Sequence, residues 1–338
     1  SWTAPGTASL LTSLHPIQHG VLKGFMAVQA EKRIDPSVTL GRIPDEVVTL
    51  AEMLKEAGYS TWAVTDNVNI SREQGFDQGF DRFWNYNYEG AEAVTATVRE
   101  KIPELLKARP YFLYLHYMDP HRPYNHRPPW YEAHDDERLD SISAYDSEIR
   151  YLDDKLRELF TLLHWERETL IVVTSDHGEE FLEHGGWDHG RTHYAAVLDV
   201  PLLVFPAQDG KPGRRLSQRV STLDIVPTLR DFAGLPPDPA LQGQNLLPVL
   251  RGEDHLPGDR ACFGDLRSPP WFGSRVLKTV LQGDAKVILD QTGSAELFNL
   301  AADPGEEHDL SASQAALRDS LKVQLSAMEK SVRRYTQE

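Results

Sequence analysis

Thr174-Ser175-Asp176-His177-Gly178-Glu179-Glu180 follows directly on the apolar run Leu170–Val173. An aspartate and a histidine side by side at the end of a strand offer a hard oxygen and an imidazole nitrogen to one divalent cation. Gly178 lets the backbone turn away immediately behind them. The same residues also fit an N-cap aspartate beside a solvated histidine. Downstream, Glu183-His184-Gly185-Gly186-Trp187-Asp188-His189-Gly190-Arg191 forms a long glycine-laced stretch, and loops of that kind carry function more often than structure. His189 or Arg191 could neutralise a leaving group or an anionic ester there, or serve only as surface.

Two more clusters have the same character. His116-Tyr117-Met118-Asp119-Pro120-His121-Arg122-Pro123-Tyr124 follows the apolar run Tyr111–Leu115, and its two prolines stiffen the loop and stop a helix from continuing. His121, held in this way, suits a general acid or a hydrogen-bond donor to a bound oxyanion, or a histidine satisfied by backbone. At the start of the chain, Thr3 precedes a Pro5-Gly6 turn and an apolar helix. A helix N-terminus favours bound anions and helps a hydroxyl ionise. A threonine is a poor nucleophile unless a base or a metal lowers its pKa, and simple capping is the alternative role.

The elements that must position these clusters alternate. Apolar runs at Ser60–Thr65, Tyr111–His116, Leu170–Thr174 and Pro201–Phe205 predict strands, and helical patterns cover Pro44–Ala57, Ala91–Lys107, Ser141–Leu163 and Leu223–Ala233. The fold class is α/β: a largely parallel sheet sandwiched by helices, with ligands at the carboxyl ends of its strands. The composition shifts after Leu250, where the polar stretch Arg251–Asp259 begins. Alternating segments around Arg275–Leu281 and Lys286–Leu289, then a helical pattern at Gln314–Arg334, predict a small C-terminal antiparallel subdomain. We divide the chain into a catalytic α/β domain, 1–255, and that subdomain, 256–338.

With 338 residues the chain has room for one large domain and an appendage. A formal net charge of -16 argues against nucleic acid as partner, because phosphate backbones call for a basic face. It leaves a small anionic ester possible, since a bound cation inverts the field inside one cleft. No apolar stretch is long enough to form a transmembrane segment. The lone cysteine, Cys262, excludes an intramolecular disulfide and reads as a small buried hydrophobe. The opening at Ser1 shows no charged-then-apolar leader and reads as a finished loop entering a helix, so upstream sequence is expected.

Taken together and in order, these clusters resemble the sulfatase family of the alkaline phosphatase superfamily. Thr3, Pro5 and Ala8-Ser9-Leu10-Leu11-Thr12 occupy the family's nucleophile signature, and Pro16 with His19-Gly20-Val21 continues it. Leu50–Tyr59, Gly75–Asp81, the D-P-H-x-P-Y loop, S-D-H-G-E-E-F-x-E-H-G, Val200–Leu203, Asp224–Leu229 and Glu296–Glu306 match further landmarks. The resemblance implies Asp176 and His177 as metal ligands, with Thr3 as a nucleophile that also touches the metal. It implies His121 near the bound ester and His189 at the leaving group, where the family often has a lysine. Asn67 and Arg191 remain as substrate contacts. The cofactor implied is one divalent cation, calcium, magnesium or manganese, with zinc less suited to the donors.

The departures are informative. The family's nucleophile is a formylglycine made from Cys or Ser, and Thr3 cannot become one. Thr7 stands where the family has an arginine, and Thr65-Asp66-Asn67-Val68 replaces its G-K-W-H segment. A strand carrying an acidic pair precedes the nucleophile in the family and is missing here. The function implied is a metal-dependent hydrolase of sulfate or phosphate esters. A threonine-nucleophile phosphodiesterase or phosphotransferase, and a non-catalytic anion- or partner-binding relative, are the alternatives.

Overall fold

The computed structural model describes residues 2–205, 213–253, 256 and 260–335, with the backbone alone at 166 and 167. Its helices are α1 Thr3–Thr12, α2 Pro16–His19, α3 Phe25–Lys32, α4 Leu50–Glu56, α5 Ala91–Lys107, α6 Glu137–Leu163, α7 Trp165–Glu168, α8 Ala195–Leu198, α9 Ile225–Phe232, α10 Leu247–Arg251 and α11 Ala315–Ser331. Its strands run β1 Ser60–Thr65, β2 Arg82–Asn85, β3 Tyr111–His116, β4 Ile171–Thr174, β5 Glu180–Phe181, β6 Trp187–Asp188, β7 Leu202–Phe205, β8 Ala261–Arg267, β9 Val276–Gln282, β10 Ala285–Asp290 and β11 Ala295–Asn299.

β1 pairs in parallel with β2 on one edge and β3 on the other, and Thr65 lies opposite both Asn85 and His116. Their carboxyl ends are therefore level, and the D-P-H loop leaves from that end. Neighbouring side chains on these strands point to opposite faces. Trp62, Val64, Trp84, Leu113, Leu115 and Ile171 join α5 and α6 in one core. Phe83, Tyr114, Val172 and Leu202 join α1 and α9 in the other. Strands β1 to β3 and the β4–β7 pair thus feed the same two layers, and helices cover both faces.

One pairing departs from the parallel rule. β4 and β7 are antiparallel, with Thr174 opposite Leu202. A parallel return needs a substantial crossover, usually a helix across the face of the sheet. The chain between these strands instead holds the two-residue β5–β6 ladder and the single-turn α8. The predicted helix over Pro44–Ala57 also begins late, at Leu50, because Thr49 caps it. Thr49 Oγ1 accepts from Glu52 N at 3.2 Å, and Glu52 Oε2 accepts from Thr49 N at 2.8 Å. That reciprocal pair fixes the first turn.

Beyond residue 260, β11-β10-β9-β8 form an antiparallel sheet, and α11 packs on it through Leu321 and Leu325 against Val280, Val287 and Leu297. Leu266 and Leu277, at the ends of β8 and β9, reach into the core around α1. The proposed division between 255 and 256, and most of the polar stretch 254–259, lie outside the described residues. Among the described residues, no helix is long and apolar enough to cross a membrane.

Candidate active site

Thr3 is the first residue of α1 and is buried. Pro5 and Gly6, expected as a turn before the helix, lie inside its first turns. Proline is tolerated there because the first amide groups of a helix have no intrahelical acceptor to lose. Gly6 has a second reason to be bare: a Cβ on it would sit 2.8 Å from Asp176 O. The missing side chain lets α1 lie directly on the turn that follows β4, and this brings Thr3 to His177.

There, Thr3 Oγ1 lies 3.4 Å from His177 Nε2. His177 Nδ1 donates to Gly178 O at 2.8 Å, which leaves the Nε2 lone pair facing the hydroxyl. Asp176 Oδ2 is 3.7 Å from the same nitrogen, buried, and without a hydrogen-bond partner. An orphaned buried carboxylate oxygen is costly unless something positive fills the space before it. Burial pushes the Asp176 carboxyl up, but His177, His116 and His189 outweigh it and hold it at about 2. Burial lowers His177 to about 4. At neutral pH the site thus presents a carboxylate, a neutral imidazole and a hydroxyl, a donor set that fits one hard divalent cation.

Gly178 docks this turn. Its N–H donates to Val197 O at 2.8 Å, and a Cβ on it would meet Ala196 O at 2.1 Å, so α8 holds the turn from behind.

His189 stacks on His177 with ring centroids 3.8 Å apart, and His121 meets His189 edge-on at 5.3 Å. The three imidazoles form a row. Each commits its Nδ1 to an oxygen: His189 to Glu179 Oε1 at 3.0 Å, and His121 to Arg122 O at 2.6 Å. Burial, then the neighbouring His121, lowers His189 to about 4. Burial and Asp188 raise Glu179 to about 7. Tyr124 OH donates to the other Glu179 oxygen at 2.9 Å. Ligand atoms of Glu179, Asp188 and His189 also lie within 4.8 Å of one another, a second group of metal-ligand types beside the first.

The other two residues singled out from the sequence stand differently. Asn67 is buried with its amide already engaged: Nδ2 on Met118 Sδ at 3.0 Å, and Oδ1 accepting from Asn69 N at 2.8 Å. A substrate contact there would require exchanging those bonds. Arg191 lies with its guanidinium 5.2 Å from the Phe272 ring centroid, next to the Gly190 that approaches Pro269. Glu179, Tyr124 and His116 were not singled out. Glu179 and Tyr124 stood within the quoted motifs, but 55 residues separate them, and only the fold joins them.

The family model for sulfatases matches residues 1–235. A choline-sulfatase of Rhizobium meliloti (strain 1021) is 32% identical over 174 residues, which are 49% of this chain and 32% of that protein. N-acetylgalactosamine-6-sulfatase of Homo sapiens is 25% identical over 396 aligned positions, covering 94% of this chain and 74% of that one. The chain thus spans about a third of the first relative and about three quarters of the second. Among solved structures, the phosphonate monoester hydrolase of Silicibacter pomeroyi superposes with a TM-score of 0.78 at 17% identity, over 99% of this chain and 87% of that one. That likeness is one of fold. The family match runs unbroken from the Thr3 helix through the Asp176–His177 turn and past α9, and this chain belongs to the sulfatase family.

Proposed function

We propose that this chain carries the catalytic site of a metal-dependent hydrolase of sulfate or phosphate esters, with Thr3 as its nucleophile. The observation that carries the reading is the approach of Thr3 Oγ1, His177 Nε2 and Asp176 Oδ2 to one another, with that carboxylate oxygen unpartnered. A divalent cation held by Asp176 and His177 would supply Lewis acidity, lowering the hydroxyl pKa and neutralising substrate oxygens. Thr3, its hydroxyl proton given up to solvent water, attacks sulfur or phosphorus in line, and the ester oxygen departs on the opposite side. His189, stacked on His177, delivers an Nε2 proton to that oxygen in the tautomer where Glu179, raised to about 7 by burial and Asp188, carries a proton and donates it to Nδ1. His121, in its imidazolium form, donates from Nε2 to an equatorial oxygen, and Arg191, two residues on from His189, meets remaining negative charge. Water then displaces the covalent ester on Thr3.

The names of the relatives favour sulfate esters, while Thr3 favours phosphate. A formylglycine hydrate can expel sulfate by collapsing to its aldehyde, and a threonine ester has no such exit. Phosphoryl transfer relies chiefly on positioning and charge neutralisation, which this site offers. The enzyme is therefore expected to turn over 4-nitrophenyl phosphate or its diester faster than 4-nitrophenyl sulfate in the presence of Mn²⁺, Mg²⁺ or Ca²⁺. Thr3→Ala should abolish both activities while leaving the circular dichroism spectrum unchanged. Preference for the sulfate, or a Thr3→Ala variant with undiminished turnover, contradicts the assignment.

A further inference from the structure

Lys286 and Glu306 form an ion pair deep in the protein, with side chains 0% and 1% exposed and Nζ 2.6 Å from Oε1. Neither atom has a hydrogen-bond partner among the described residues, so each is the other's compensation. Such a pair is no bargain for stability. Removing two charges from water is costly, and apolar residues of like volume often do as well. Its second contact says what it is for. Glu306, at a left-handed φ of 56°, turns its other oxygen to Ala195 N, accepting at 2.5 Å from the first amide of α8. Beside it, His193 Nδ1 lies 2.8 Å from Thr279 Oγ1 on β9, and Tyr194 OH donates to Glu296 on β11 at 3.1 Å. The three residues entering α8 are thus tied to the C-terminal sheet, and α8 in turn receives Gly178, immediately behind His177.

We propose that Glu306, whose buried charge Lys286 compensates, is a positioning residue for the Asp176–His177 turn, acting through the N-terminus of α8. The C-terminal sheet then helps to build the cation site without contributing a ligand to it. The proposal rests on the reading of that turn as cation-binding. The path is Lys286 on β10, Glu306, Ala195, Val197, Gly178 and finally His177. The Lys286–Glu306, Glu306–Ala195 and Val197–Gly178 links are the contacts given above, and the single turn of α8 joins Ala195 to Val197.

The test compares two double variants of the full chain. Lys286→Met with Glu306→Leu fills the volume but leaves Ala195 N without an acceptor. Lys286→Met with Glu306→Gln removes the charges and keeps an oxygen for it. In the first, Gly178 amide exchange should accelerate, and Mn²⁺ affinity by calorimetry should weaken, each by about tenfold or more. In the second, both should stay within about threefold of the unaltered chain, because an amide oxygen still accepts from Ala195. A purely structural pair would shift the melting temperature of both without separating them in Gly178 exchange. Equal exchange at Gly178 in both overturns the proposal. Should the leucine variant fail to fold, native-state exchange of the unaltered chain decides. Gly178 and Ala195 opening together with β10 amides supports the linkage, and independent opening at lower denaturant overturns it. Exchange is read without metal, so an unaltered chain that binds no Mn²⁺ would sink the functional reading and leave the linkage standing.

Discussion

His189 holds its Nδ1 against Glu179 and its ring against His177, so its Nε2 is the nitrogen left for chemistry. If that nitrogen serves the leaving oxygen, its importance must depend on how much help the oxygen needs. A phenolate stabilised by a nitro group leaves without a proton, and an unsubstituted phenolate does not. For His189→Ala, turnover of phenyl phosphate should fall by about a hundredfold or more, the size typical of general-acid catalysis, while 4-nitrophenyl phosphate falls far less. Equal losses on the two esters would assign His189 to charge neutralisation or to support of His177. The pairing that orients it could not be seen in the sequence. Asp176, His177, His189 and His121 stood out because each follows a strand or sits in a glycine- or proline-fixed loop. The partnership of Glu179 with Tyr124 depends on two loops meeting in space.

α2 carries a different sensitivity, set by burial. His19 is fully buried: its Nδ1 accepts from Val21 N at 3.1 Å, and its Nε2 lies 3.1 Å from Ser9 Oγ on α1. Burial, reinforced by His15, lowers His19 to about 3, and burial lowers His15 to about 4. Both are neutral in the folded protein and take up protons in the unfolded chain below about 6.5. Between the folded and unfolded values the unfolded state binds more protons, so stability rises with pH there and is lost as pH falls below about 6.5. Each histidine contributes about 1.4 kcal/mol per pH unit at full effect. His19→Gln, compared by urea unfolding at pH 7 and pH 5, should lose less stability across that interval than the unaltered chain. An equal loss would show that His19 is not held neutral. Among the elements, β1, β3 and α5 matched their sequence bounds because apolar runs there end at turn residues. β2 was missed because Arg82–Asn85 is four residues with polar ends, recognisable as a strand only once β1 lies beside it. The antiparallel return of β7 was illegible because hydrophobic pattern carries no direction.

Across the molecule as a whole, the strands of the α/β region and the C-terminal antiparallel sheet meet at the loop entering α8 and through Leu266 and Leu277 in the core around α1. The helix-covered α/β region supplies the proposed site residues, and the C-terminal antiparallel sheet grips the segment from His193 to Ala195 behind the Asp176–His177 turn. The overall class was readable from strand–helix alternation and from the change of pattern after residue 250. The junction was not, because a lysine on β10 reads as solvent-facing until its burial is seen. The proposed nucleophile, the hydroxyl of Thr3, has a direct chemical signature. Acid quenching during turnover of bis(4-nitrophenyl) phosphate with Mn²⁺, followed by peptide mass mapping, should recover a 4-nitrophenylphosphoryl ester on Thr3. The ester should be absent from Thr3→Ala. Turnover with no adduct at Thr3, or an adduct on another residue, would contradict the account.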